Sequence, residues 1–148
     1  MPVPPLLGSL EWLPQPIRAI DAETVDAAPV GKGAYLLLMH FATPAGFTHK
    51  HARHVLDGGW YAYAGSAYGP GGIRARLRRH FRHDKKLHWH VDHLTAIARQ
   101  LYAVALEGGS ECAIAESLIG SGVFLPSLKG FGSSDCHSCQ SHLLKWNG

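Results

Sequence analysis

Between Gly59 and Phe81 the chain runs through tyrosines, then glycines, then arginines, and this order leaves few folds open. Trp60 to Gly65 reads as a strand, with Tyr61 and Tyr63 on one face because side chains alternate with period two. Gly65, Gly69, Gly71 and Gly72 then let the backbone turn sharply and come close to a ligand. After Pro70, Ile73, Leu77 and Phe81 recur every four residues, the apolar stripe of a helix. Arg76 and His80 share a neighbouring helix face, and Arg74 and Arg78 share another. A phenol at a strand end, a flexible turn, and a guanidinium and an imidazole on the next helix suit phosphate chemistry.

The flanking segments predict the rest of the domain. Gly33 to Phe41 is almost continuously apolar, as a buried central strand requires. The insert after it holds Pro44, Gly46 and the histidine-rich piece His49 to His54, with room for one extra short strand. His49, His51 and His54 are either metal ligands or, as the basic composition favours, part of a solvated loop. Trp89 to Ala98 predicts a second helix on Val91, Leu94 and Ile97, and Gln100 to Leu106 a third strand. Ser110 is a suitable N-cap for a third helix from Glu111 to about Ile119. From Gly120 onward the tail is rich in turn residues. Residues 1–30 predict an irregular lead-in whose Leu6, Leu7, Trp12 and Leu13 lie over the domain or meet a second copy. The expected fold is α+β: one domain over 31–148, with a mixed or antiparallel sheet of three to four strands and helices packed on it.

Composition narrows the partner. With 46% hydrophobic and 17% charged residues the chain is an ordinary globular protein. The net charge is only +3, yet Arg74, Arg76, Arg78, Arg79, Arg82, Lys85 and Lys86 supply seven of its 14 basic residues. Such a patch favours a polyanion, of which nucleic acid is the commonest, or is simply a solvated helix face. Arg74, Arg78, Lys86 and Ser66 are the candidate nucleic-acid contacts. No stretch approaches the roughly 20 apolar residues that span a bilayer. Three cysteines are an odd number for a disulfide framework, and the proline-rich start lacks the basic region of a signal peptide, so a cytoplasmic setting is expected.

The tripeptides around Tyr35 and Tyr63, in the order Gly33-Ala34-Tyr35 and Tyr63-Ala64-Gly65, followed by Arg76 and His80, resemble the signature of GIY-YIG nucleases. His88 to Asp92, Glu111-Cys112 and Phe131 to Cys136 further resemble the subgroup known as the DUF123 domain. The likeness runs from about Lys32 to Leu143. Alanine stands at 34 and 64 where the motif names isoleucine, and the insert between the two tyrosines is long.

The resemblance implies a metal-dependent endonuclease acting on DNA. It makes Tyr35 the acceptor of the proton of the attacking water and Tyr63 its partner. Arg76 becomes the phosphate clamp, His80 a proton donor or relay, and a glutamate of the third helix the ligand of a single Mg²⁺ or Mn²⁺. Two glutamates are available. Glu111 and Glu116 lie about 140° apart on a helix, and Glu111 shares its face with Ile114, Ala115 and Leu118, so Glu111 is preferred and Glu116 held in reserve. Asp92 could orient a histidine, help hold the metal, or only cap a helix. In the tail, Cys136, Cys139 and His142 have ligand-like spacing, and Cys112 could complete a structural Zn²⁺ site. Buried thiols or a redox pair are the other readings. Two rivals to the nuclease stay open: a non-catalytic nucleic-acid-binding module of the same fold, and a zinc-stabilised interaction domain. No recognition domain accompanies the catalytic one, so specificity would come from a partner protein, a homodimer or substrate shape.

Overall fold

The computed structural model describes residues 8, 10, 12–13, 18–49, 51–82, 91–127 and 141–147. Its centre is a five-stranded antiparallel sheet in the order β5-β1-β4-β7-β6. β1 (Gly33–Phe41) is the apolar run seen in the sequence, and β4 (Gly59–Ala67) and β5 (Gln100–Glu107) pair on its two sides. β1 is buried along nearly its whole length because helices cover both faces of the sheet. β6 (Phe124–Pro126) and β7 (Leu143–Trp146) extend the sheet beyond β4. The sheet is therefore wider than the three to four strands expected. The two added strands come from the tail, where three- and four-residue strands leave too short a pattern to read.

The insert between β1 and β4 also differs from expectation. It forms two strands, β2 (Ala45–His49) and β3 (Ala52–Leu56), paired as a separate hairpin. Ala45, Phe47 and Leu56 point inward and are buried, while Thr48, Arg53 and Val55 are exposed on the other side.

Two core layers result. On one face Tyr35, Leu37 and Met39 of β1 and Tyr61 of β4 meet Ile73, Leu77 and Phe81 of α1 (Gly72–Phe81). Phe47 and Leu56 of the hairpin join that layer. On the opposite face Ala34, Leu36 and Leu38, with Ala62 and Ala64, meet Ile114, Ala115 and Leu118 of α3 (Glu111–Gly120). The alanines at 34 and 64 thus serve the α3 side, away from the tyrosines. Ser110 caps α3 as expected, its side chain accepting from Ala113 N.

The second helix is shorter than predicted among the described residues: α2 spans Asp92–Thr95. Residues 83–90, with Lys85, Lys86, His88 and His90, lie outside the described residues. At the N-terminal end, Leu10 and Leu13 are buried in the α3-side layer, and Ile20 forms a single bridge to Ala103 of β5. Gly71 and Gly72 take positive φ values of 85° and 65°, a conformation that favours glycine. They swing the chain so that Ile73 N and Arg74 N donate to the carbonyls of Gly31 and Pro29.

Candidate active site

The antiparallel register of β1 and β4 puts Tyr35 directly opposite Gly65. A Cβ at Gly65 would overlap the Tyr35 ring. The glycine of the second tripeptide is thus what makes room for the phenol of the first. Packed in this way Tyr35 is 2% exposed, and its hydroxyl lies 2.7 Å from Nε2 of His80. His80 is itself buried at the end of α1. Although the sequence placed it beside the apolar stripe, the bond to Tyr35 draws it into the core.

Tyr63 sits two residues before Gly65 on the same face of β4 and is half-buried. Both phenols hold their protons more tightly than a free tyrosine. For Tyr35 burial is the main cause, followed by the neighbouring Tyr63, and the Arg76 cation opposes the shift. For Tyr63 burial again leads, followed by the negative charge of Glu111, and Arg76 again opposes. Tyr35 and Tyr63 thus both feel the charges of Arg76 and Glu111, although Tyr35 and Glu111 are 76 positions apart in the chain. Glu111 reaches this place from the first turn of α3, whose buried stripe lies on the other face of the sheet. Glu116 is exposed further along the same helix.

One neighbour of Glu111 was not foreseen. His142, fully buried just before β7, places Nδ1 3.4 Å from Glu111 Oε2. The two are within ion-pair range but are not aligned for a hydrogen bond. The backbone carbonyl of His142 accepts from Ala64 N, which anchors it to β4. Its Nε2 lies 3.7 Å from Cys112 Sγ. Cys112 is disulfide-bonded, and a sulfur in that state is not a thiolate ligand for zinc. Cys136 and Cys139 lie outside the described residues.

Three arginines of the basic helix make contacts within the domain. Arg74 Nε donates to Ala28 O at 2.7 Å, tying α1 to the segment before β1. Arg78 pairs with Asp26 at 2.8 Å. Arg79 grips Asp92 with two parallel bonds of 2.6 and 2.7 Å. Asp92 is completely buried, so this pair locks α1 to α2. The apolar neighbours of Asp92, Val91 and Leu94, were the one sequence hint of burial. Ser66 alternates onto the α3 face with Ala62 and Ala64, turned from the phenols. Lys86 lies outside the described residues.

A single carboxylate, partly exposed beside Tyr63, fits a hard divalent ion that keeps most of its own waters. Among the described residues no group of three or more His, Cys, Asp or Glu side chains is assembled for a metal, so a cage built wholly of protein ligands is not offered there. Among the described residues no helix is long and apolar enough to cross a membrane.

The model of one family, described as "Domain of unknown function DUF123", matches residues 34–148. No curated protein and no solved structure matches the chain. The match covers most of the sequence and includes every residue of the site just described. This chain belongs to the DUF123 family.

Proposed function

We propose that this DUF123 domain is a metal-dependent endonuclease of the GIY-YIG type that hydrolyses phosphodiester bonds in DNA. The observation that carries the proposal is the Tyr35–His80 hydrogen bond, set within reach of the charges of Arg76 and Glu111. The residues of the proposal come from two strands and two helices and follow the order that the GIY-YIG signature implies.

The raised affinity of Tyr35 for its proton decides how it works. A phenolate base is costly in this buried position. A neutral phenol next to an imidazole is better suited to a relay. The tautomer with the proton on Nδ1 leaves Nε2 of His80 free to accept from the Tyr35 hydroxyl. As the attacking water gives its proton to the Tyr35 oxygen, the phenol's own proton passes to His80. Imidazole is the natural acceptor near neutral pH. Arg76 stays charged at any working pH, and its planar fork suits two phosphate oxygens. Glu111, with waters, would hold Mg²⁺ or Mn²⁺, whose charge offsets that developing on the phosphate.

The test is cleavage of single-stranded, duplex and branched DNA with and without Mg²⁺. Wild-type protein is expected to cut only with the metal, and Tyr35→Phe, Arg76→Ala and Glu111→Gln to lose most of that activity. Wild type and Tyr35→Phe giving the same background rate would end the proposal and leave a binding module of the same fold.

A further inference from the structure

The β2–β3 hairpin has a face that the proposed reaction does not use. From Ala42 to Leu56 there is no acidic residue, but there are Lys50, Arg53 and three histidines. The hairpin's inward side chains, Phe47 and Leu56, fix it to the same core layer as Tyr35. Its outward side is built around Gly46. The Arg53 guanidinium lies across Gly46 so closely that a Cβ there would overlap it. The arginine therefore rests flat on the strand in the space that the missing side chain leaves. Gly46 also lines an open cleft of about 340 Å³, whose other walls include Thr43, Ile97 and Arg99. Arg53 and Arg99 are both exposed, and neither has an ion pair among the described residues. Asp57, the first acid after the hairpin, lies 3.8 Å from Lys145. His51 stands at the hairpin tip, exposed, with a left-handed φ of 63°.

Two exposed guanidinium groups, one lying across Gly46 and one lining the cleft that Gly46 also lines, offer donors suited to phosphate oxygens. Its position suits a long polyanion. Phe41, where the insert begins, is six steps along β1 from Tyr35, or roughly 20 Å of strand. One DNA strand spans that distance in roughly six nucleotides at about 3.4 Å each. We propose that Arg53 and Arg99, around Gly46, form a second grip on the phosphodiester backbone of duplex DNA, remote from the candidate active site. The proposal rests on the nucleic-acid reading of this domain but not on its being catalytic.

The test is anisotropy of a labelled duplex between about 50 and 200 mM NaCl, using wild type, Arg53→Ala/Arg99→Ala and Gly46→Ala. Both arginines are exposed, and circular dichroism verifies that each variant folds. The double variant is expected to bind about tenfold more weakly, with the log–log salt slope reduced by roughly 2. Gly46→Ala, which displaces only the flexible end of Arg53, is expected to lower the slope by roughly 1. Where DNA is cut, KM should rise in the double variant while kcat holds, since the contact is far from the reacting phosphate. Equal affinity and slope in wild type and double variant would overturn the proposal, as would a wild type that binds no duplex. Tighter binding to phosphatidylserine vesicles than to DNA, lost in the double variant, would also overturn it by assigning the face to lipid. Absence of cleavage with a reduced slope would leave the grip standing and remove only the hydrolase.

Discussion

Helix α1 and the β2–β3 hairpin are both basic, and the structure uses their charge in opposite ways. On α1, Arg74 bonds a carbonyl of the preceding segment, Arg78 an exposed aspartate and Arg79 a buried one. These cations hold the domain together. On the hairpin, the exposed Arg53 lies over Gly46, and Arg99 lines a cleft that Gly46 also lines. The lesson is that cations counted along a chain are not cations available to a ligand. In the densest cluster of the sequence Arg74, Arg78 and Arg79 are engaged within the domain, and in the sparser one Arg53 is presented outward.

That contrast can be broken at several points. The largest effect is expected where His80 of α1 meets Tyr35 of β1. Tyr35→Phe removes the hydroxyl bonded to His80 and should lower cleavage by about 10²-fold or more, read by single-turnover assays, while costing only about 1 kcal/mol of stability. An equal loss of folded protein and of activity would show that Tyr35 matters only for packing.

Next comes Arg79→Ala, which removes both bonds that Arg79 makes to the buried carboxylate of Asp92. Urea denaturation should show a loss of about 3–5 kcal/mol. Arg53→Ala should change stability by no more than about 0.5 kcal/mol. Similar values for the two would erase the difference between helix and hairpin.

Gly65→Ala should cost about 1–3 kcal/mol by forcing the Tyr35 ring aside, and should lower cleavage further than this instability explains. Arg78→Ala breaks an exposed pair and should cost at most about 1 kcal/mol, with no change in the salt slope of DNA binding.

The alkaline limb of stability offers a further check. Tyr35 and Tyr63 hold their protons above the ordinary tyrosine range, and burial pushes Tyr61 up to about 12. In the unfolded chain all three ionise near pH 10. Above that pH the unfolded state binds fewer protons than the folded one, so stability falls as pH rises. The contribution is complete below about pH 10 and is lost as the pH climbs through the folded values. Denaturation midpoints measured between about pH 9 and 12 should drop steeply in wild type and less so in Tyr35→Phe.

Much of the frame was legible before any coordinates. The unbroken apolar run at Gly33–Phe41 is a buried strand, the four-residue repeat of Ile73, Leu77 and Phe81 is α1, and Ser110 caps α3. Each of these signals is local and long enough to show its period. β6, β7 and the second strand of the hairpin were missed because three to five residues do not display one. The preference for Glu111 over Glu116 was argued from helix geometry and from the Glu111-Cys112 pair of the resemblance, and the negative charge of Glu111 is felt by Tyr35 and Tyr63. The partnership of His142 with Glu111 and of Arg79 with Asp92 could not be argued, since nothing in their spacing predicts contact.

The sequence by itself determined which backbone becomes strand or helix and which faces turn inward, because those follow from short periodicities and from where glycine and proline allow turns. Only the tertiary structure decided what each polar group meets. The same arginine is a clamp, a strut or an open hand according to which side chains fold against it. Those neighbours come from sheet register and chain crossing, which are properties of the whole molecule and not of any one stretch.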